Sequence, residues 1–426
     1  MKIRNTRLLF ALALFAPVPA FAVPAWSRSI GTTCSTCHAT PTWQLTSPGL
    51  DFLRNGHRSD PFRLADRDMK FDNYISLVWK GRAFYDNLDS ARTGNASTQK
   101  PKSSFEQHSF SLYTGGPIAE RFSYFTEMYL SENTGATSGT NVTQGDASRK
   151  KLAEAFLQYN HPLNETKDLF LAIRAGEILP EILHVFGVGA RSAEQRSVVL
   201  NEALAGSTNT YRPFSRQQGI DAKLNVRHFE VAAGIVNGSD TSTTNSIDAD
   251  SAKDTFLFGL YKLDELESAV GLFRYDGRFT NYTVKQDFST NKLFDNDFSK
   301  TGFMGRFIRE KWRVVGTYFM GEETLSAAGN TAKNRGYYLL GDYNFTDSLG
   351  VFARYDRLDP NTNLSRNEVT MWMLGFNAML YQSAKSGARF SLEYTERQIY
   401  LGGGIAAAGT TRFEDRRLFA QITWAF

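Results

Sequence analysis

Residues 416–426 read RRLFAQITWAF. Side chains alternate sides along an extended chain. Leu418, Ala420, Ile422, Trp424 and Phe426 therefore fall on one face, and Phe419, Gln421 and Thr423 on the other. The same period recurs upstream. In ARFSLEYTER (388–397), Phe390, Leu392 and Tyr394 oppose Arg389, Ser391, Glu393 and Thr395. In YYLLGDYNF (337–345), Tyr337, Leu339, Gly341, Tyr343 and Phe345 oppose Asp342 and Asn344. In VFARYDRL (351–358), Val351, Ala353 and Tyr355 oppose Arg354 and Asp356. A water-soluble sandwich buries such an apolar face; a membrane barrel turns it to lipid and keeps the polar face in the lumen. Alternation alone fits both, and the number of segments and their aromatic ends favour the barrel.

About sixteen such segments lie between residues 73 and 426, each near the ~9–11 residues that a tilted strand needs to cross a bilayer; counts of about fourteen or eighteen stay open. The chain holds 33 Phe and 18 Tyr, and after position 22 it has no apolar run long enough for a membrane helix. The expected fold is all-β, a transmembrane antiparallel β-barrel of about 16 strands. Short breaks such as TDS at 346–348 suit tight turns. Long polar breaks at 133–148, 237–253, 279–298 and 323–334 suit external loops. Residues 178–214 lack the period of two, carry His184, Arg191 and Arg196, and are long enough to suggest function. They read either as an external loop with one short helix or as a segment folded into the lumen.

The N-terminus reads differently. Lys2, Arg4 and Arg7 precede an apolar run that ends at Ala20-Phe21-Ala22. This is the pattern of a secretory signal peptide over residues 1–22. The chain's formal net charge of +4 falls to +1 once those three basic residues are removed. That excludes a strongly basic nucleic-acid binder, so no nucleic-acid partner is expected.

The two cysteines both lie in GTTCSTCHAT (31–40). Cys-x-x-Cys-His is the spacing of a c-type haem attachment site. Cys34 and Cys37 would carry the thioethers, and His38 would follow as proximal iron ligand. A redox disulfide expects a βαβ context, and a zinc site expects further ligands at zinc spacing; neither is present in the sequence around residue 34. One motif implies one covalently bound haem. For the distal position, His and Met are the common partners. His57 and Met69 are the near candidates, and an open position is the third possibility. Ser47 and Pro48 read as N-cap and N1 of a short helix that Gly56 ends at C′. Leu50 and Leu53 share a face of that helix and would cover a porphyrin. Residues 23–72 would form a small haem domain, too short to bury a core alone, that acts as plug or cap on a barrel of residues 73–426.

The terminal aromatic Phe426 resembles the end of bacterial outer-membrane barrels. VPAWSRSIGTTCSTCH (23–38) resembles the mature start of the fused monohaem cytochrome c–porins of bacterial outer membranes, the iron-oxidase type. Val23, Pro24, Ala25, Trp26, Arg28, Gly31, Cys34, Cys37 and His38 carry the match, and PGLDFLRNGH (48–57) occupies the place of the family's short helix ending in Asn-Gly. The chain departs where FLRN replaces a common Phe-Gly-Arg and where His57 replaces an aromatic. The resemblance is specific over residues 23–57 and one of architecture and length beyond. It implies outer-membrane localisation, contact with lipid, and electron transfer from an extracellular donor, with Fe(II) the best-known case, to a periplasmic c-type cytochrome. Such a chain would act as an iron(II):cytochrome c oxidoreductase. The competing readings are a passive or haem-plugged diffusion porin and a metal reductase running in the opposite direction. Either a monomer or a porin-like trimer is compatible.

Overall fold

The computed structural model describes residues 25–63, 74–92, 95–98, 102–132, 152–166, 169–187, 191–201, 209, 211–238, 252–284, 290–383, 386–400 and 410–426. Residues 1–22, Met69 and the break at 133–148 lie outside them. In chain order the first elements are α1 (Ala25–Ile30), α2 (Cys34–Cys37), β1 (His38–Ala39), β2 (Gln44–Leu45) and α3 (Ser47–Arg54). Next come β3 (Ile75–Arg92), β4 (Asn95–Thr98), β5 (Lys102–Pro117), β6 (Phe122–Glu132), β7 (Leu152–Pro162) and β8 (Leu169–Ile178). Two short helices follow, α4 (Ile182–Val185) and α5 (Val198–Asn201). The chain continues through β9 (Gln217–Val226), β10 (Phe229–Val236), β11 (Asp254–Lys262), β12 (Ala269–Val284), β13 (Thr290–Arg309) and β14 (Trp312–Thr324). It ends with β15 (Thr331–Thr346), β16 (Leu349–Asp359), β17 (Val369–Gln382), β18 (Gly387–Tyr400) and β19 (Thr410–Ala425).

β3 and β5–β19 form one closed antiparallel barrel of 16 strands, with β4 an extension paired to the far end of β3. The expected fold class and strand count are met. β19 closes on β3 with Trp424 opposite Trp79. The seam ends where the Leu77 N–H donates to Phe426 O at 2.6 Å and the Phe426 N–H to Leu77 O at 2.8 Å. Closure leaves no unpaired edge, the condition for strands to sit in hydrocarbon. No helix among the described residues is long and apolar enough to cross a membrane.

Burial answers the sandwich-or-barrel question. On β19, Leu418, Ile422 and Trp424 point out, while Arg417, Phe419, Gln421 and Thr423 are buried. Across the wall, Leu257, Val270, Phe307, Leu339 and Leu374 are exposed, while Arg82, Lys223, Glu230, Arg354 and Glu393 are buried. Apolar outside and charged inside is the inverse of a soluble sandwich and is what lipid around a polar lumen requires.

Both wall termini and the short turns lie at one end. The turn at 347–348 is held by the Ser348 and Leu349 N–H groups donating to Thr346 Oγ1 at 3.1 and 3.0 Å. Two expected loops are corrected. Most of 279–298 is strand: β12 and β13 stay paired from Ala269↔Arg306 out to Val284↔Thr290. Runs of Phe, Thr, Tyr and Val there favour extended pairing over a polar loop. Likewise the break at 323–334 narrows to the residues between Thr324 and Thr331.

Candidate functional site

α1 to α3 and the residues up to 63 sit inside the barrel at the short-turn end. Ala25 N–H donates to Ser76 Oγ, the Trp26 indole to Gly115 O at 3.1 Å, and Arg28 to Ile75 O at 2.7 Å. Arg58 donates to Ala119 O and Glu120 O at 3.2 and 2.8 Å, in the turn after β5. Asn160 on β7 donates to Asn55 O and Pro61 O, both at 3.0 Å. So short a segment folds by borrowing the barrel's interior as its second surface.

The helix that carries the expected cover is α3. Its N-cap is Thr46, not Ser47: Thr46 Oγ1 accepts from the Gly49 N–H at 3.2 Å while donating to Thr36 O at 2.5 Å. That second bond ties the cap to α2, so Ser47 becomes the first helical residue and Pro48 the second. At the other end the expected C′ role of Gly56 holds, at φ 84°. Gly56 N–H donates to Leu53 O at 3.1 Å and His57 N–H to Phe52 O at 2.8 Å, the paired bonds of a Schellman end. A Cβ on Gly49 would overlap the Cys37 carbonyl oxygen. Glycine therefore lets α3 cross directly on α2. Leu50 is fully buried, in the cluster that includes Leu179, Ile182 and Phe186.

Cys34 and Cys37 sit one helical turn apart on α2, unbridged, Cys34 buried and Cys37 half-buried. Burial raises both thiols, Cys37 to about 11. His38 follows in β1, paired with Leu45 across the hairpin. Its Nδ1 lies 3.0 Å from Trp43 O. A carbonyl only accepts, so this bond places the imidazole proton on Nδ1 and leaves the Nε2 lone pair. Burial pushes His38 down to about 4, so the ring is neutral at pH 7, the metal-binding form. Trp43 holds the arrangement in a left-handed conformation, φ 66°, with its N–H on Ala39 O at 2.6 Å. Its indole stacks on His38 at 4.9 Å and 17°. A ring parallel to the imidazole lies beside the Nε2 axis, not across it. Two thiols three positions apart and a neutral histidine oriented through Nδ1 fit a c-type haem.

His57 lies elsewhere. It is buried, stacked on Phe125 at 4.2 Å and 6°, with Trp26, Phe52 and Phe156 around it. Burial pushes it down to about 3, and its Nδ1 has no hydrogen-bond partner. No ring contact or hydrogen bond links it to His38 or Trp43. The structure thus brings Cys34, Cys37 and His38 together and sets His57 in a separate aromatic box; Met69 lies outside the described residues.

Of the 178–214 stretch, the described residues fold inward. Ile182, Leu183, Val185, Phe186, Val198, Val199 and Leu200 are buried with wall residues Phe273, Phe319, Tyr338 and Phe352. Tyr338 OH donates to Phe186 O. Asp342, Asp356 and Glu393, on the polar faces of their strands, are buried against this segment or its neighbours. Asp342 accepts from Ser192 at 2.8 Å and Gln44 at 2.6 Å, Glu393 from the Glu194 N–H, and Asp356 pairs with Arg354 at 2.9 Å. Arg354 in turn donates to Gln195 O at 2.6 Å.

Sequence reasoning missed Arg54. Its guanidinium reaches Glu230 at 2.7 Å, Glu267 at 3.1 Å and Asp51 at 3.2 Å, with Glu181 at 3.9 Å and Lys223 pairing Glu181 beyond. The network joins α3, the wall, a short turn and the infolded segment. Apart from Asp51, three residues before it on α3, its partners lie far apart in the chain, so local spacing does not mark the network.

No family model matches the chain, and no curated protein matches it. Solved structures do. The anion-selective porin of Comamonas acidovorans aligns over 83% of this chain and 98% of its own, with a TM-score of 0.54 and 12% identity. The outer membrane channel DcaP of Acinetobacter baumannii aligns over 83% and 97%, with a TM-score of 0.54 and 10% identity. OmpT of Vibrio cholerae in its trimer form aligns over 82% and 99%, with a TM-score of 0.51 and 12% identity. At such identity the likeness is one of fold. The fold is that of the outer-membrane porin barrels.

Proposed function

We propose that this chain is a bacterial outer-membrane electron-transfer protein. One c-type haem, held by Cys34, Cys37 and His38, links an extracellular donor, Fe(II) in the leading case, to a periplasmic c-type cytochrome. The observation that carries the reading is the His38 Nδ1 bond to Trp43 O, made directly after the Cys34–Cys37 turn and inside a closed barrel. A haem there supplies reversible one-electron storage. The protein's own residues orient the ligand, keep it neutral and wall it from lipid. Their position at the short-turn end favours exchange with a partner on that side, which is the periplasmic side in this reading. The signal pattern of residues 1–22 and the lipid-facing belt support the outer-membrane location.

The second reading is a diffusion porin, alone or plugged by its N-terminal segment, and the fold of the solved neighbours supports it. The filled lumen opposes it: α3, α4 and α5 occupy the space through which solutes would pass. Electron flow in the reverse direction, from the periplasm to an external metal, fits the same geometry. Assembly as a monomer or a trimer is compatible with either.

The test is spectroscopic. Purified full-length protein is reduced anaerobically with Fe(II), and a parallel sample with dithionite. Reduced α and Soret bands in both support the conduit with iron as donor. Bands with dithionite alone remove iron as donor. Absence of any haem band overturns the reading and leaves the porin, to be checked by conductance in planar bilayers.

A further inference from the structure

The turn of the hairpin that carries His38 is held from the wall. Asn344 on β15 donates to Thr40 O at 2.9 Å. Arg313 on β14 donates to Thr42 Oγ1 at 3.3 Å. Arg389 on β18, 4% exposed, donates from Nη1 to Thr42 O at 3.0 Å. That carbonyl belongs to the peptide that enters Trp43, and the N–H of the same peptide donates to Ala39 O. Both polar groups of one peptide plane are therefore fixed, and that plane sets the φ of 66° at Trp43. A tryptophan rarely takes this conformation unless its surroundings hold it. From it follow the two contacts that orient His38: the Trp43 carbonyl on Nδ1 and the indole on the ring face.

Arg389 reaches further than the other two. Its Nη1 also donates to Arg191 O at 3.1 Å, and its Nη2 pairs with Glu194 in the infolded segment. Lys80 shares Glu194 at 3.1 Å. The guanidinium carbon lies 6.0 Å from the Trp43 ring centre. Its charge opposes protonation of His38, so its field reaches the imidazole. Orientation of a ligand by groups behind it, and charge beside it, are the protein's levers on a haem.

We propose that Arg389 is a positioning residue for the haem ligand: through Thr42 and Trp43 it fixes the orientation of His38, and its charge favours ferrous over ferric haem. This rests on the haem reading above. Ferric haem carries one more positive charge than ferrous, so a cation nearby disfavours oxidation.

The test is the midpoint potential of the haem in purified full-length protein, by spectroelectrochemical titration. In Arg389→Gln the ratio of ferrous to ferric haem at a fixed ambient potential should fall about tenfold, the scale of one unit charge inside a protein. Arg389→Lys keeps the charge and loses the fork, and should recover most of that ratio. Arg174→Gln removes a buried guanidinium that bonds Asp221 and Leu179 O instead, and should leave the ratio unchanged. An unmoved ratio in Arg389→Gln overturns the proposal, and so does an equal fall in Arg389→Lys or Arg174→Gln. A second readout needs no haem. In a Cys34→Ser/Cys37→Ser chain, diethyl pyrocarbonate labels the neutral His38 imidazole, followed by mass spectrometry of its peptide. Adding Arg389→Gln should raise the labelling rate several-fold while heat-modifiable gel mobility persists; an unchanged rate overturns the proposal. Should that variant lose the mobility, Arg389→Lys takes its place: faster labelling than the parent supports the proposal, and the parent's rate overturns it. If no preparation shows a haem band, the haem reading fails, and the labelling alone decides whether Arg389 holds His38.

Discussion

Arg54→Met is the sharpest test of how the N-terminal segment is held. The guanidinium is 3% exposed and contacts Glu230, Glu267 and Asp51 at 2.7, 3.1 and 3.2 Å. Removal of one partner from a buried ion pair costs roughly 3–5 kcal/mol, because the remaining charge stays buried. Here the losses are unequal. Glu267 keeps Lys262 at 3.0 Å, and Glu181 keeps Lys223. Glu230 keeps neither, and its Oε1 already lacks a partner. The low end of the range, ~3 kcal/mol, therefore applies. At about 1.4 kcal/mol per decade this shifts the docked-to-released ratio of the segment roughly a hundredfold. The wall's own ladder is untouched, so the barrel persists while its filling loosens. Planar-bilayer conductance reads this directly: near-silent wild type and frequent openings in Arg54→Met. Cleavage near residues 55–60 by added protease should rise in parallel, with the barrel's heat-modifiable gel mobility unchanged. A variant as silent and as protease-resistant as wild type would refute the clamp.

Two further changes probe the same interior. Gly49→Ala places a methyl against the Cys37 carbonyl, with backbone on both sides and nothing flexible to yield. Overpacking of that kind costs about 1–3 kcal/mol, so covalent haem loading, read by haem-stained denaturing gels, should fall well below wild type. Wild-type loading would show that α3 does not cross on α2. His57, held near 3 by burial, titrates at about 6.5 once unfolded. The unfolded chain then binds the extra proton between those values, so His57's contribution is complete above about pH 6.5 and is lost as pH falls toward 3. His57→Phe should flatten the fall in unfolding midpoint between pH 6.5 and 4; an unchanged slope would place the acid sensitivity elsewhere.

Much of the barrel was legible because one rule, alternation, decides every wall strand. RRLFAQITWAF needs no partner to declare its two faces, and Leu418 and Gln421 fall where the pattern puts them. The tall β12–β13 hairpin was misread because its outer residues are polar as well as β-prone, and composition outweighed pairing. The direction of residues 178–214 was undecided for a different reason. Ile182, Val198 and Val199 are apolar enough for either a helix core or an infolded loop, and only the wall's Phe273 and Phe319 choose between them. At the site, Cys34, Cys37 and His38 are contiguous and so readable. Trp43 as the orienting carbonyl and Arg54 as the clamp depend on contacts across 5 to 213 positions of sequence, and spacing rules do not reach that far.

The filled lumen bears on function through a simple asymmetry. A solute needs a continuous open path, and α3, α4 and α5 within the barrel narrow it. An electron needs only a redox centre shielded from lipid and held rigidly, and the same filling helps. The buried pair Arg54–Glu230 ties the N-terminal segment to the wall, and Arg389–Glu194 ties the wall to the infolded segment. Porin barrels commonly keep a water-filled channel. Here the interior charges hold the N-terminal segment and the described residues between β8 and β9 in place. Under the proposed function, conductance and haem reduction are therefore opposing readouts: the change that opens the barrel should loosen the groups around His38.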